Sequence, residues 1–511
     1  MALYLENRNR LIIPRWREYR RDFLSSEHLP QQSIRLPGLY FREDPDFIAK
    51  SEEWQLTKSV PAAIELVNAA NSLGLPNEAK DAARFLKNQL NIPPQLFKII
   101  KSVLGEPVEE TDDSPEDIPL QTFFKYVGKK LNHIRKRLID YPDNPLLWLE
   151  LARLHSILGN NLKAERSLLV GHTLSNGVNR AITRAFSRFF YHIGERDKAH
   201  EIVRKSPLIR TDPWIIAAEI SYAIKRKRFS PNIKKGIELI DSKNCASFEI
   251  SELASMIGTI ELYNGATKKA KKFVQKSLEA PNDNSLAQAE WISRQIDHIG
   301  FNIWLEKVDF AFEAKAHEFL YKKKYKESLK EGFNWVIDQP FSKRAVQFSS
   351  YTACALLNDH KSAIDICHFG LRSNPENFEI INNLVYAYAL DNQISNAKRW
   401  LAKLILFAKE EKHKIFIYAN EGLISFREKN AELGRTHYNN ALQLAEKLKE
   451  HNLKQSAEIN FLREEYLNNT LSKEKAMSII KSIQKDKHLL QVNDEIQAVL
   501  NEINNHINMF T

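Results

Sequence analysis

The sequence predicts an all-α solenoid, and three observations carry that prediction. The first is recurrence. In residues 344–404, RAVQFSSYTACALLNDHKSAIDICHFGLRSNPENFEIINNLVYAYALDNQISNAKRWLAKL, one helix pair is restated about 34 residues later. Small residues recur where two helices must approach closely, Ala363 then Ala397, flanked by Cys367 then Leu401. The second is punctuation: Pro375 follows the first pair and cannot continue its helix. The third is composition. Charged residues make up 27% of the 511 and glycines number only 16, which suits long helices better than sheets. A chain of this length exceeds an ordinary single domain unless it is an elongated array.

The clearest unit is PLLWLELARLHSILGNNLKAERSLLVG. Trp148, Leu151, Ala152 and His155 fall at the i, i+3, i+4, i+7 spacing of a buried stripe. Gly159 supplies a tight turn, and Ala164, Leu168 and Gly171 give the second helix a small–large–small face. The pattern returns through Phe186, Gly194 and Ala199; through Ile257, Gly258, Gly265 and Ala270; through Ala316, Tyr325 and Ser328; and through Gly422, Gly434, Tyr438 and Ala441. Unit starts near 145, 180, 251, 309, 344, 378 and 415 are mostly separated by about 34 to 37 residues, or about twice that. The block from Trp214 to Ile240 reads as degenerate, disturbed by Pro231, and a longer helix around Trp291 to Trp304 interrupts the spacing.

These units resemble the tetratricopeptide repeat, with His155 where that family usually has tyrosine. The resemblance implies a right-handed α-solenoid of helix–turn–helix repeats, here with an N-terminal arm and a helical subdomain. It also implies that the first helix of each unit lines a concave groove that binds short extended or helical segments. On helical geometry the groove positions of the first half are Arg153, Arg184, Arg188 and Tyr191, and those of the second half are Phe348, Asn382, Tyr386, Phe416 and Arg427. The arginines suit a carboxylate or phosphate; the second set suits a peptide's side chains and backbone. Ordinary exposed surface is the plain alternative for each. The lysine and asparagine set of the family's carboxylate clamp is matched only at Asn382.

In chain order, residues 1–45 form an arm without repeats. Arg15, Arg17, Arg20 and Arg21 interleave there with Trp16 and Tyr19. That is the chemistry of phosphate contact and base stacking; it is equally that of an arm packing its aromatics on the solenoid with its arginines in water. Residues 46–105 read as four short helices of a small subdomain. Residues 106–118 open on the acidic EPVEETDDSPED, an exposed linker. The solenoid follows over 119–450, and 451–511 is a helical cap with a polar outer face.

The net charge of +10 is compatible with an acidic partner or nucleic acid, and equally with solubility alone. The lysine runs at 225–228, 268–272 and 322–326 belong at inter-helix turns or on the outer face. Cys245, Cys354 and Cys367 make neither a disulfide framework nor a zinc site, and the last two read as small core residues. No phosphate-binding, dinucleotide-binding, nucleophile-elbow or zinc-protease motif occurs. The expectation is a protein that is not an enzyme, without metal or cofactor, cytoplasmic, with no membrane span. Its expected work is to bind protein, as an adaptor, scaffold or regulatory subunit of a larger assembly. The competing expectation is a helical-repeat protein that binds RNA or single-stranded nucleic acid through the arm and its basic edges.

Overall fold

The structure is a computed structural model that describes residues 10–16, 45–73, 76–89, 94–106, 120–242 and 245–468, with isolated positions beyond 470. Among the described residues the regular structure is all helical, without strands. Of the acidic segment only Glu106 is described, and it pairs with Lys87 at 2.5 Å.

The subdomain consists of helices Pro45–Thr57, Val60–Leu73, Lys80–Lys87 and Pro94–Leu104. It has a core of its own, in which Trp54, Ala63, Leu66, Val67, Leu86 and Ile100 are buried together.

The solenoid begins with helix Leu120–Asp140 and then alternates inner and outer helices: Pro145–Ile157 with Asn161–Leu174, Arg180–His192 with Arg196–Lys205, Pro213–Lys225 with Asn232–Asp241, Ser247–Tyr263 with Thr267–Ser277. Helix Asp283–Ser293 follows, then Phe312–Tyr321 with Tyr325–Asp338, Lys343–Tyr351 with His360–Ser373, Phe378–Leu390 with Ile394–Leu406, and His413–Arg427 with Ala431–Lys447. Local chemistry starts the inner helices. The side chains of Asn144, Asn179, Asp212 and Asn377 each accept from first-turn N–H groups, satisfying donors that a helix start leaves orphaned. Asn282 and Ser285 do so reciprocally as a capping box.

The turn inside each unit requires a left-handed residue. Gly159, Gly194 and Gly265 supply it with φ of 74°, 91° and 76°. Lys227, Lys323, Asn358, Asn392 and Lys429 adopt the same region at φ of 54° to 65°. This corrects the reading of 214–240 as degenerate: it is a regular pair whose turn uses Lys227 in place of glycine, and Pro231 sits at the cap of its second helix, where a missing N–H costs nothing. The expected long helix from Trp291 to Trp304 is also corrected. Helix Asp283–Ser293 ends early, and Gly300, at φ 74°, leads into a short 3-10 turn, Phe301–Trp304.

Ala363 and Ala397 lie fully buried at helix crossings, as do Cys354 and Cys367. A methyl group added at Gly370 would stand 2.5 Å from Val346, so only glycine permits that approach.

The superhelix turns tightly enough to meet itself. Phe123 and Phe124, at its start, pack against Phe369 with ring centroids 5.1 and 4.8 Å apart, and the Arg372 guanidinium lies 3.9 Å from the Phe124 ring. His192 meets Phe341 at 5.7 Å. The interior is therefore enclosed. Beyond the repeats, helix His451–Leu467 buries Leu453, Ala457, Ile459 and Leu462 together with Asn460, Arg463 and Glu464, extending the inner row, and most of the expected cap after it lies outside the described residues.

Candidate functional site

Residues 10–16 run without helix or strand through the enclosed interior, and the surrounding inner helices grip them by backbone and side chain alike. The Tyr263 hydroxyl and the Gln288 amide each donate to the Arg10 carbonyl at 3.1 Å, and the Asn284 amide donates to the Ile13 carbonyl at 3.1 Å. Leu11 and Ile12 enter an apolar cluster formed by Ile216 and Ile220 on one inner helix and Ile250, Leu253 and Ile257 on the next. Trp16 stacks near Phe189 and Phe341, with ring centroids 6.4 and 5.3 Å away.

The charges meet at Glu313, whose side chain is only 3% exposed. Arg10 reaches it at 2.6 Å, Arg15 at 2.5 Å and Arg344 at 2.8 Å. Arg15 also lies 3.2 Å from Asp283 and donates to Gln339 at 2.7 Å. Burial pushes the Glu313 carboxyl up, but Arg344, Arg10 and Arg15 together outweigh it and hold the group well below the usual carboxylate range. For Arg15, burial opposes the charged form and Glu313 with Asp283 more than restores it. Three guanidinium groups and two carboxylates thus neutralise most of one another's charge in an interior that ions enter only at high cost.

The arm is therefore placed differently from either expectation. Trp16 packs on the solenoid, but Arg15 is buried in ion pairs rather than held in water, and neither residue is open to a phosphate or a base. Arg17, Tyr19, Arg20 and Arg21 lie outside the described residues.

The positions expected to line an open groove are mostly closed as well. Arg153 is buried and held by Glu150, one turn away, at 2.7 and 2.8 Å. Arg184, 1% exposed, pairs with Glu252 at 3.0 Å and lies 4.6 Å from the Trp214 ring. Phe348 is core, packed against His317 at 4.7 Å and Trp335 at 5.9 Å. Asn382 bonds Asn383 and Asn420, Tyr386 donates to Asn460 at 2.6 Å, Phe416 packs edge-on to Phe378, and Arg427 pairs with Glu464. Arg153 finds its partner on its own helix; for the others the tight superhelix turns successive helices toward one another, so inner side chains meet partners instead of solvent.

Arg188 and Tyr191 are the exceptions, both half-buried. The Arg188 guanidinium lies 5.2 Å from the Phe341 ring and 5.9 Å from Tyr191, and Tyr191 packs on Tyr222. Cations from distant units gather around them. Burial lowers the Arg188 pKa, the hydroxyls of Tyr222 and Tyr191 oppose that, and Arg15 and Arg344 add to it. Lys225 is lowered by burial and then by Arg344 and Arg196. Lys343 is lowered by burial, supported by Glu379, and lowered further by Arg188, Arg196 and Lys409. The sequence signals for this cluster were present, as KR before AVQF and a lysine closing an inner helix, but they belong to units that adjoin only once the superhelix has closed.

Among the described residues no group of histidine, cysteine, aspartate or glutamate side chains is arranged to hold a metal, and no helix is long and apolar enough to cross a membrane. Of the predicted lysine runs, 322–324 sits at an inter-helix turn and 268–272 on an outer helix, whereas Lys225 of the run at 225–228 closes an inner helix and is half-buried.

Two solved structures are similar in shape. One is the crystal structure of yeast Tom70, at 13% identity over 88% of this chain and 95% of that one, with a TM-score of 0.31. The other is the APC/C hetero-tetramer Cut9-Hcn1, at 12% identity over 86% of this chain and 92% of that one, with a TM-score of 0.37. Likeness at this level carries no argument about function. No family model matches the chain, and no curated protein does.

Proposed function

We propose that this chain is a protein-binding scaffold, an adaptor or regulatory subunit of a larger assembly, whose enclosed interior reads an extended polypeptide segment. One observation supports the reading above others. The interior holds residues 10–16 by two means that peptide receptors use, hydrogen bonds to main-chain carbonyls and burial of side chains, Leu11 and Ile12 in an apolar cluster and Arg10 and Arg15 on Glu313. The tetratricopeptide-like pattern agrees with such a role. The competing reading, nucleic-acid binding through the arm, loses the support of Arg15 and Trp16, which are engaged internally.

The test uses the full chain with its own arm weakened by Arg10→Ala and Arg15→Ala. A fluorescent synthetic peptide of residues 10–16 binds this variant and raises its melting temperature, as a native-state ligand must. Adding Glu313→Ala abolishes both effects. Absence of binding and of any thermal shift would show that the interior is not a peptide receptor.

A further inference from the structure

At one joint the solenoid departs from stacked helix pairs. The helix after Asp283–Ser293 is Phe312–Tyr321, and both are inner helices. Between them the chain makes a 3-10 turn, Phe301–Trp304, and takes left-handed φ at His298, Gly300 and Phe310, of 61°, 74° and 57°. The apolar core divides there too: Trp291, Ile292, Ile299, Phe301 and Val308 form a cluster apart from the main one. Each unit of a solenoid is held mainly by its neighbours, so an irregular interface is where the array bends.

The arm crosses this joint, and three of its residues hold both sides. Arg10 accepts at its carbonyl from Tyr263 and Gln288, before the joint, while its guanidinium reaches Glu313, after it. Arg15 lies 3.2 Å from Asp283 on one side, and on the other 2.5 Å from Glu313 and 2.7 Å from Gln339. Trp16 stands between Phe189 and Phe341, which belong to the two sides. Leu11 and Ile12 anchor the segment in the cluster of Ile216, Ile220 and Leu253, before the joint. A pivot at 294–311 moves Glu313 away from Asp283, Tyr263 and Gln288, and so stretches the contacts of both arginines at once. We propose that residues 10–16 are a clasp that keeps the helices up to Ser293 and those from Phe312 on closed about the interior, and that their release lets the joint open. His192 on Phe341 and Phe124 on Phe369 also join the two sides, so release loosens the joint without parting it. The inference concerns the closure of the superhelix and stands whether or not the interior takes a second polypeptide.

Spin labels test the clasp through the distance between the two sides. They are attached at Lys198→Cys, on the outer helix Arg196–Lys205, and at Lys330→Cys, on Tyr325–Asp338, both exposed positions. Cys245, half-buried, is changed to serine so that it takes no label; Cys354 and Cys367 are buried. In the otherwise unaltered full-length chain, double electron–electron resonance gives one narrow distance population. Arg10→Gln with Arg15→Gln moves it to longer, broader values while helix content by circular dichroism is unchanged. Trp16→Leu keeps an apolar side chain in the core but is too short to span both rings. It gives a smaller shift in the same direction, and it decides the matter if the double variant loses helix content. Tyr386→Phe, which breaks a buried hydrogen bond in the second half, leaves the distance unchanged. An unchanged distance in the folded clasp variants overturns the proposal. So does an equal shift in Tyr386→Phe, which would mean general loosening in place of a joint.

Discussion

The two halves of the interior solve one problem differently. Inner helices of a tight superhelix bury polar side chains, and each must find a partner. In the second half the partners come from the neighbouring unit and from the helix that follows the repeats: Asn382 with Asn420, Tyr386 with Asn460 and Arg463, Arg427 with Glu464. That half is closed by chain that adjoins it in sequence. In the first half Glu313 and Asp283 are matched by Arg10 and Arg15, from about 270 to 300 residues away in sequence. The comparison teaches that a repeat framework fixes where inner residues point, but not what meets them. The arm, remote in sequence, completes one half, whereas the other is completed by chain that follows directly on its repeats.

The largest expected effect comes from Glu313→Ala. It leaves Arg10, Arg15 and Arg344 without their shared carboxylate, so stability by denaturant unfolding falls by about 3–5 kcal/mol. Hydrogen exchange should show the loss in inner helices around 283–321 and not in Phe378–Leu390. Equal loosening of both halves would erase the distinction between them. Trp16→Ala comes next, at about 3 kcal/mol, because it empties a buried aromatic site between Phe189 and Phe341; thermal unfolding measures it. In the second half Tyr386→Phe removes one hydroxyl with two partners and costs about 1–2 kcal/mol, with no effect on the arm.

Acid sharpens the same contrast. Burial keeps His192 and His317 neutral in the first half, His192 at about 3 and His317 well below its usual value. A folded pKa below the unfolded 6.5 means the unfolded chain takes up protons first, so stability is lost as pH falls from 6.5. Glu249, raised by burial to about 7, works in the opposite sense between 4.5 and 7. Glu313 is depressed, so its contribution stands above the unfolded 4.5 and is lost as pH falls below it. Melting temperature should therefore decline gently to about pH 4.5 and steeply below it. In Glu313→Gln the steep limb should become shallower.

The fold was legible because its signals are local. Ala363 and Ala397 sit fully buried where the recurrence placed them, and Pro145 opens an inner helix behind its Asn144 cap. The 213–241 pair was illegible for an equally local reason: Lys227 bears the left-handed φ that glycine announces elsewhere. The site was hard to read because its partners are remote. Arg184 looked like a free groove residue, yet Glu252 sits 68 positions away and holds it. Glu313 carried no motif at all; its importance follows only from where the superhelix brings Arg10, Arg15 and Arg344.

The central claim is that the interior holds residues 10–16 as a bound segment, and trypsin tests it most directly. The bonds after Arg10 and Arg15 are intrinsically cleavable, and both arginines are ion-paired inside the solenoid. Intact-mass analysis during brief digestion of the folded full-length chain should show both bonds resisting while exposed lysine turns such as Lys323 are cut. In Glu313→Ala the two bonds should become open to cleavage. Cleavage after Arg10 or Arg15 in the wild-type chain, at the rate of a free peptide of the same sequence, would contradict the account.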